Sequence, residues 1–153
     1  MRRRKRASRF VFLALGGNVM KSKWADCTAP LVCLPLYGET TSRLMEDWRV
    51  VVRGHEFIVP KDTRTDGASI PRFLWRVCGC PHEAPRVYAA LLHDWLYAKG
   101  AAMGLSRAEA DECYYALLRH FGIGAFRAGV EFYALRLCGG AHYTKKERKN
   151  NEN

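Results

Sequence analysis

Residues 87–98 constrain the fold more than any other part of this chain, because they are apolar around almost the whole circumference of a helix. Only His93 and Asp94 within them are strongly polar. Pro85 suits the first turn of such a helix, and Gly100 suits its C-terminal end. A helix of this kind is buried on most sides. His93 and Asp94 therefore need partners, since an unpaired buried carboxylate is strongly unfavourable or becomes neutral.

The segment before this helix is typical of β structure. Residues 48–52 are rich in β-formers, residues 53–55 contain the turn glycine Gly54, and residues 56–59 resume the pattern, which together predicts a hairpin. Residues 29–37, which contain two prolines, predict an edge strand or an extended segment. Residues 61–70 have the composition of a loop.

Further helices are predicted on both sides of the apolar one. Pro71 predicts the start of a short helix over residues 71–77. Ser106 and Glu109 form a capping-box pattern, and Gly122 ends the helix that follows. The apolar positions of this helix repeat at helical spacing and are Ala110, Cys113, Tyr114, Leu117, Leu118 and Phe121. A last helix over residues 124–138 has an apolar face made of Phe126, Gly129, Val130, Tyr133, Ala134 and Leu137. The sequence therefore predicts an α+β fold, with a small N-terminal antiparallel hairpin or sheet packed against three to four helices.

The net charge of +10 is concentrated at the two ends of the 153-residue chain. Six of the basic residues fall between residues 2 and 9, and four more fall after residue 144. We therefore expect a basic, disordered extension over residues 1–23, a single domain over residues 24–143 and a charged, flexible tail over residues 144–153. The N-terminal arm gives only a weak indication of nucleic-acid binding through phosphate contacts. No segment approaches the length of a membrane-spanning helix.

The six cysteines are interpreted as mostly reduced and buried, because a chain of this size and composition needs no disulfide framework. Cys78, Cys80 and His82 lie close together, but they lack the spacing and the second half of a zinc knuckle. We therefore do not expect a zinc site there.

Two further carboxylates are placed to meet His93 and Asp94. Asp66 lies in the loop after the hairpin, and Asp111 borders the buried face of the capped helix. One imidazole and several carboxylates suit a divalent ion such as Zn, Mg or Mn. We predict that Asp66, His93 and Asp111 bind the metal. Alternatively, the same groups hydrogen-bond to backbone amides, arginines and carbonyls and have a purely structural role.

The residues of this cluster also lie in strings that resemble a known family. The strings are TDGASIP at residues 65–71, a tryptophan at residue 75, HDWLY at residues 93–97, and an Ala-Asp pair at residues 110–111. They resemble an uncharacterised family of tailed phages and prophages that is catalogued as a domain of unknown function. The resemblance covers roughly residues 48–139 and places the family's marker polar positions on Asp66, Ser69, His93, Asp94 and Asp111.

Three functions are compatible with these observations. In the first, the chain is a small metal-dependent hydrolase, with Asp94 orienting a ligand or acting as base and Ser69 positioning the substrate. In the second, it is a non-enzymatic phage accessory protein that binds a host defence or lysis factor, or it is a virion component, and the polar cluster is structural. In the third, the basic arm binds nucleic acid. The resemblance implies that the protein acts in the host cytoplasm or in association with the virion.

Overall fold

The computed structural model describes residues 20–30, 32–33, 41–67, 74–80 and 82–138, and within them it shows the predicted α+β fold. The strands are β1 (Met20–Lys21), β2 (Ala25–Cys27), β3 (Val32–Cys33), β4 (Ser42–Leu44), β5 (Trp48–Val52), β6 (His55–Val59) and β7 (Arg64–Thr65). The helices are α1 (Trp75–Cys78), α2 (Ala84–Lys99), α3 (Arg107–His120) and α4 (Ala125–Cys138), and a short 3₁₀ helix (Ala101–Met103) links α2 to α3.

The strands form two small antiparallel sheets. One has the order β1-β2-β5-β6, and the other has the order β3-β4-β7. The predicted hairpin is confirmed as β5 and β6, in which Trp48 lies opposite Val59. Its two-residue turn places Arg53 at a φ of 51° and Gly54 at a φ of 79°. A turn with two consecutive positive φ angles matches the right-handed twist of the flanking strands. Glycine adopts a positive φ without strain, which explains its presence at position 54.

Helix α2 is the centre of the domain, as its composition predicts. Ten of its sixteen residues are buried, including His93, and it packs chiefly against α3. The 3₁₀ helix after Gly100 turns the chain, and Gly104 ends it at a φ of 76°. The predicted capping box is confirmed, since the Ser106 side chain accepts from the Glu109 amide while the Glu109 carboxylate accepts from the Ser106 amide. The start of α3 is therefore fixed locally.

The predicted last helix is confirmed, but three of the six residues of its apolar face are exposed. Phe126, Tyr133 and Leu137 on α4 are 74%, 66% and 85% exposed. The buried residues of α4 are instead Ala128 and Glu131. Glu131 turns inward because it pairs with a buried arginine of α2, so an ion pair rather than the apolar stripe determines which face packs.

The described cysteines support the interpretation of most of them as reduced. Cys27, Cys78 and Cys113 are free and buried, and Cys80 and Cys138 are free and exposed. Burial raises the pKa of the Cys27 thiol to about 12 and that of the Cys113 thiol to about 11. These two thiols are therefore protonated and unreactive at neutral pH. In the described part of the chain, no helix has both the length and the apolar character needed to cross a membrane.

Candidate functional site

The candidate site is built on successive turns of α2. His93 and Tyr97 are four residues apart, so their side chains lie on one face of the helix, and their ring centroids are 4.0 Å apart. The ring of Tyr114 from α3 packs edge-on against His93, with the centroids 5.3 Å apart. His93 is 5% exposed. The imidazole is therefore held in place by aromatic rings, and only its nitrogen atoms are left to make polar contacts.

Asp111 from α3 is the anionic centre of the site and is fully buried. Its Oδ1 lies 2.8 Å from Nε2 of His93 and accepts a 2.5 Å hydrogen bond from the hydroxyl of Tyr97. Its Oδ2 accepts a 3.0 Å hydrogen bond from Nη1 of Arg136 and lies 3.7 Å from Nε of Arg107. Hydrogen bonds to a charged group are among the strongest in proteins. Asp111 thus joins α2, α3 and α4.

This pairing changes the acid–base behaviour of both partners. Burial by itself would lower the pKa of His93, but the hydrogen bonds and charges of Asp111 and Asp94 outweigh burial and raise that pKa. Burial would likewise raise the pKa of Asp111, but the hydrogen bonds from His93, Tyr97 and Arg136 outweigh it and lower that pKa. The site is therefore an imidazolium–carboxylate pair at mildly acidic pH.

Asp94 lies on the other side of the imidazole and reaches the surface. Its Oδ1 is 3.9 Å from Nδ1 of His93, and its side chain is 33% exposed. Its Oδ2 accepts a 2.7 Å hydrogen bond from the hydroxyl of Thr65, which in turn accepts from the Gly67 amide at 3.1 Å. Thr65 belongs to β7 and lies opposite Ser42 in the neighbouring strand β4. The smaller sheet therefore fixes the start of the loop against α2.

Sequence reasoning missed four residues that complete this network. Thr65 holds Asp94, and Tyr97, Arg107 and Arg136 surround Asp111. Two of these contacts could be predicted from spacing, because residues four apart lie on one face of a helix. His93 and Tyr97 have this spacing, and so do Arg107 and Asp111. Nothing in the spacing indicates Arg136, because that contact depends on how α4 packs.

The structure brings together part of the predicted metal site. His93 and Asp111 are in contact, whereas Asp66 is exposed at the end of β7. Among the described residues, no group of three or more His, Cys, Asp or Glu side chains could hold a metal ion. Ser69 lies outside the described residues, so its role stays a prediction. Because protein donors already occupy both oxygens of Asp111, that carboxylate is better placed to orient His93 than to bind an ion.

A second buried ion pair lies at the other end of α2. Nε of Arg86 donates a 2.9 Å hydrogen bond to Oε1 of Glu131, and the hydroxyl of Tyr114 donates a 3.0 Å bond to Oε2. Nη1 of Arg86 also donates to the exposed Glu83 carboxylate. Burial raises the pKa of Glu131 and outweighs the opposing effect of Arg86 and Tyr114. Both side chains of the Arg86–Glu131 pair are about 1% exposed or less, which indicates a structural role.

The candidate site can transfer protons. It has a carboxylate at the surface, an imidazole behind it and a buried carboxylate that orients the imidazole. A buried carboxylate that holds one ring nitrogen of a histidine serves acid–base and metal-binding histidines alike.

Comparison with known families places this site in context. A family described as "Protein of unknown function (DUF1353)" matches residues 42–135, which contain both α2 and α3. The match covers more than half of the chain. The chain belongs to the DUF1353 family. All of the predicted site residues lie within the DUF1353 segment, whereas β1, β2 and β3 precede it.

Two proteins of Sinorhizobium fredii are similar to the chain. Uncharacterized protein y4jT is 28% identical over 86 residues, which are 56% of this chain and 25% of y4jT. Uncharacterized protein y4iH is 33% identical over 79 residues, which are 52% of this chain and 32% of y4iH. The matched part is thus only a quarter to a third of these relatives. No solved structure shows a significant match. The phage and prophage context implied by the sequence strings stays a prediction.

Proposed function

We propose that the chain is a small hydrolase in which Asp94 is the general base, and His93 and Asp111 are its positioning residues. The observation that supports this proposal is the placement of His93 between two carboxylates in different environments. Asp111 is fully buried and saturated with donors, whereas Asp94 is partly exposed and faces the β7 loop.

In this proposal Asp94 takes a proton from water as the water oxygen attacks the phosphorus or acyl carbon of a phosphate, ester or amide. The P–O, C–O or C–N bond to the leaving group then breaks, and the leaving group takes the proton from Asp94. The Thr65 hydroxyl holds Oδ2 of Asp94, so the rotation of the carboxylate is fixed and Oδ1 stays on the side of His93. Asp111 in turn holds His93 through Nε2. A base that is held in one orientation loses less entropy in the transition state, and a positioned base typically accelerates a reaction by about 10²–10⁴-fold.

Asp66, another residue of the predicted site, lies at the start of the loop that follows β7. Asp66 directly follows the Thr65 that bonds Asp94, so this end of the loop is adjacent to the proposed base. The described residues form no group that could hold a metal ion, so the proposed step relies on these side chains alone.

The first test compares the tag-free parent protein with an Asp94→Asn variant and a Glu56→Gln control. Glu56 is an exposed carboxylate that also has one polar partner, Arg49 at 2.6 Å. Each protein is assayed with p-nitrophenyl phosphate and bis(p-nitrophenyl) phosphate, with and without added Mg²⁺, Mn²⁺ or Zn²⁺. Metal content and thermal melting are measured on the same samples.

We expect Asp94→Asn to melt cooperatively near the parent temperature and to lose turnover by about 100-fold or more. Glu56→Gln should keep the parent rate. An Asp94→Asn variant that hydrolyses these substrates at the parent rate would exclude Asp94 as the base.

A second candidate function is supported by the number of elements that the network connects. The contacts of Asp111 and Asp94 join β7, α2, α3 and α4. A network of this kind serves equally well as a structural lock in a non-enzymatic protein that binds a host or virion partner. This candidate predicts that Asp94→Asn unfolds the domain and that none of the substrates is hydrolysed by the parent.

A further inference from the structure

A groove of about 830 Å³ lies on the described surface, and none of the residues of the Asp94 site line it. It is formed by the segment from Ser22 to Asp26, the turn of the β5–β6 hairpin, and the facing sides of α3 and α4. Its lining includes four aromatic residues, Trp24, Tyr115, Phe132 and Tyr133, and four charged ones, Lys23, Asp26, Arg53 and Glu112. Trp24 and Tyr115 meet edge-on with centroids 5.8 Å apart, and Tyr115 meets Phe132 in the same way at 5.9 Å. Such a wall suits an apolar or aromatic group.

A serine and a histidine meet at the edge of this groove. Oγ of Ser22 lies 2.8 Å from Nδ1 of His120, although the two residues are 98 positions apart. Ser22 is exposed and lines the groove, whereas His120 is buried at the end of α3. Hydrogen-bond contact between an exposed hydroxyl and a buried imidazole is the arrangement by which histidine activates a serine nucleophile.

Two backbone amides hold the Ser22 hydroxyl in place. The amides of Trp24 and Ala25 both donate to Oγ, at 3.1 and 3.3 Å. Oγ is therefore fixed beside Nδ1 of His120 at the edge of the groove. Burial also lowers the pKa of His120, so its imidazole is neutral at neutral pH and can accept a proton. A backbone hydrogen bond to Cys27 and the charge of Asp26 oppose the effect of burial on this pKa but do not outweigh it. Among the described residues no carboxylate bonds Nε2 of His120, so Ser22 and His120 form a dyad.

We propose that Ser22 and His120 form a nucleophile–base pair that acts on esters with an apolar or aromatic acyl group bound in the groove. Oγ of Ser22 attacks the acyl carbon, and Nδ1 of His120 takes the hydroxyl proton. The ester C–O bond then breaks, the acyl group stays on Oγ, and the leaving alkoxide takes the proton from His120. Water later releases the acid and restores the serine hydroxyl by the same proton path. No oxidant, reductant or cofactor is required.

A fluorophosphonate probe tests this pair directly, because it reports the nucleophile without a known substrate. The Ser22 oxygen would form a bond to phosphorus as the P–F bond breaks, with fluoride leaving and the proton going to His120. The full-length protein is treated with the probe, and the modified residue is identified by peptide mass spectrometry. Ser22→Ala, His120→Asn and Ser106→Ala are treated in parallel. Ser106 is a matched control, since its exposed hydroxyl bonds a carboxylate at 2.7 Å rather than a histidine.

We expect one label per chain, located on Ser22, with no label in Ser22→Ala and the parent rate in Ser106→Ala. Asparagine at position 120 keeps a hydrogen-bonding group near Nδ1 but provides no base, so labelling should slow by about 100-fold or more while the protein still melts cooperatively. If Ser22 is unlabelled, or if His120→Asn is labelled at the parent rate, the Ser22–His120 contact only fastens the β1–β2 turn to α3. The Asp94→Asn variant should be labelled like the parent, which separates this inference from the proposed hydrolase site.

Discussion

Replacing Asp111 with asparagine should destabilise the domain strongly, because this carboxylate is the fully buried centre of the network around His93. The variant keeps the shape of the side chain but loses its charge. The asparagine side chain has one oxygen and one NH2 group in place of two oxygens. The NH2 group must face either His93 and Tyr97 or Arg136, which are themselves hydrogen-bond donors. Breaking a buried ion pair on one side typically costs about 3–5 kcal/mol.

The expected loss for Asp111→Asn lies at the lower end of that range. Arg107 and Arg136 are 22% and 38% exposed, so water can solvate both of them once the carboxylate is neutralised. His93 is too buried for water to solvate it. In the variant it must either lose its proton or remain as an unpaired buried charge. We therefore expect a decrease of about 3 kcal/mol in the free energy of unfolding. For a domain of this size that corresponds to a melting temperature lower by about 6–12 °C.

The destabilisation should also depend on pH in a definite direction. The pKa of His93 is raised in the folded protein, so its contribution is fully present below the ordinary histidine pKa and is lost as the pH rises through the raised value. The pKa of Asp111 is lowered, so its contribution is present above the ordinary aspartate pKa and is lost as the pH falls through the lowered value. The difference between parent and variant should therefore be largest at about pH 5–6 and should shrink in alkaline buffer.

Urea unfolding of both proteins between pH 5 and pH 9 measures this difference, with Asp62→Asn as the control. Asp62 is 59% exposed and lies 3.4 Å from Arg43, so its replacement should change the free energy of unfolding by no more than about 0.5 kcal/mol at any pH. The reasoning is refuted if Asp111→Asn behaves like Asp62→Asn, or if its effect is constant across the pH range.

Two further changes test the packing around α2 and α3. Glu131→Gln leaves the buried Arg86 guanidinium without its main counter-ion and should lower the free energy of unfolding by about 3 kcal/mol. The double change Arg86→Met with Glu131→Leu leaves no unpaired buried charge and should lower the free energy of unfolding by less. Urea unfolding compares the three proteins, and a double variant weaker than Glu131→Gln would contradict this account. Ser106→Ala removes the capping box of α3 and should cost about 1 kcal/mol in the same assay.

The elements with local signals were predictable from the sequence. The β5–β6 turn is specified by Gly54, the start of α3 by Ser106 and Glu109, and the burial of α2 by its composition. Each signal depends on residues within a few positions of one another. The packing of α4 was not predictable in this way, because periodicity shows which residues share a face, and it does not show which face packs.

The site was predicted in part for a similar reason. A buried helix with one histidine and one aspartate requires polar partners, and this requirement correctly pointed to Asp111. The sequence does not show that Arg136 would reach Asp111 from α4, because that contact depends on the packing of two helices. Without Arg136 and Arg107 in view, Asp111 was interpreted as a metal ligand although its oxygens already accept protein donors. The roles of Asp66 and Ser69 in the site remain predictions.

The position of β2 in the larger sheet affects how a minimal domain should be cut. The DUF1353 match spans residues 42–135, but β2 lies before it and pairs with β5 from Ala25 opposite Val52 to Cys27 opposite Val50. A fragment trimmed to the family boundaries would leave the backbone of β5 unpaired along that edge. It would also end one residue before Arg136. An open edge of this kind templates pairing with other chains, so such a fragment should aggregate where the longer chain stays monodisperse.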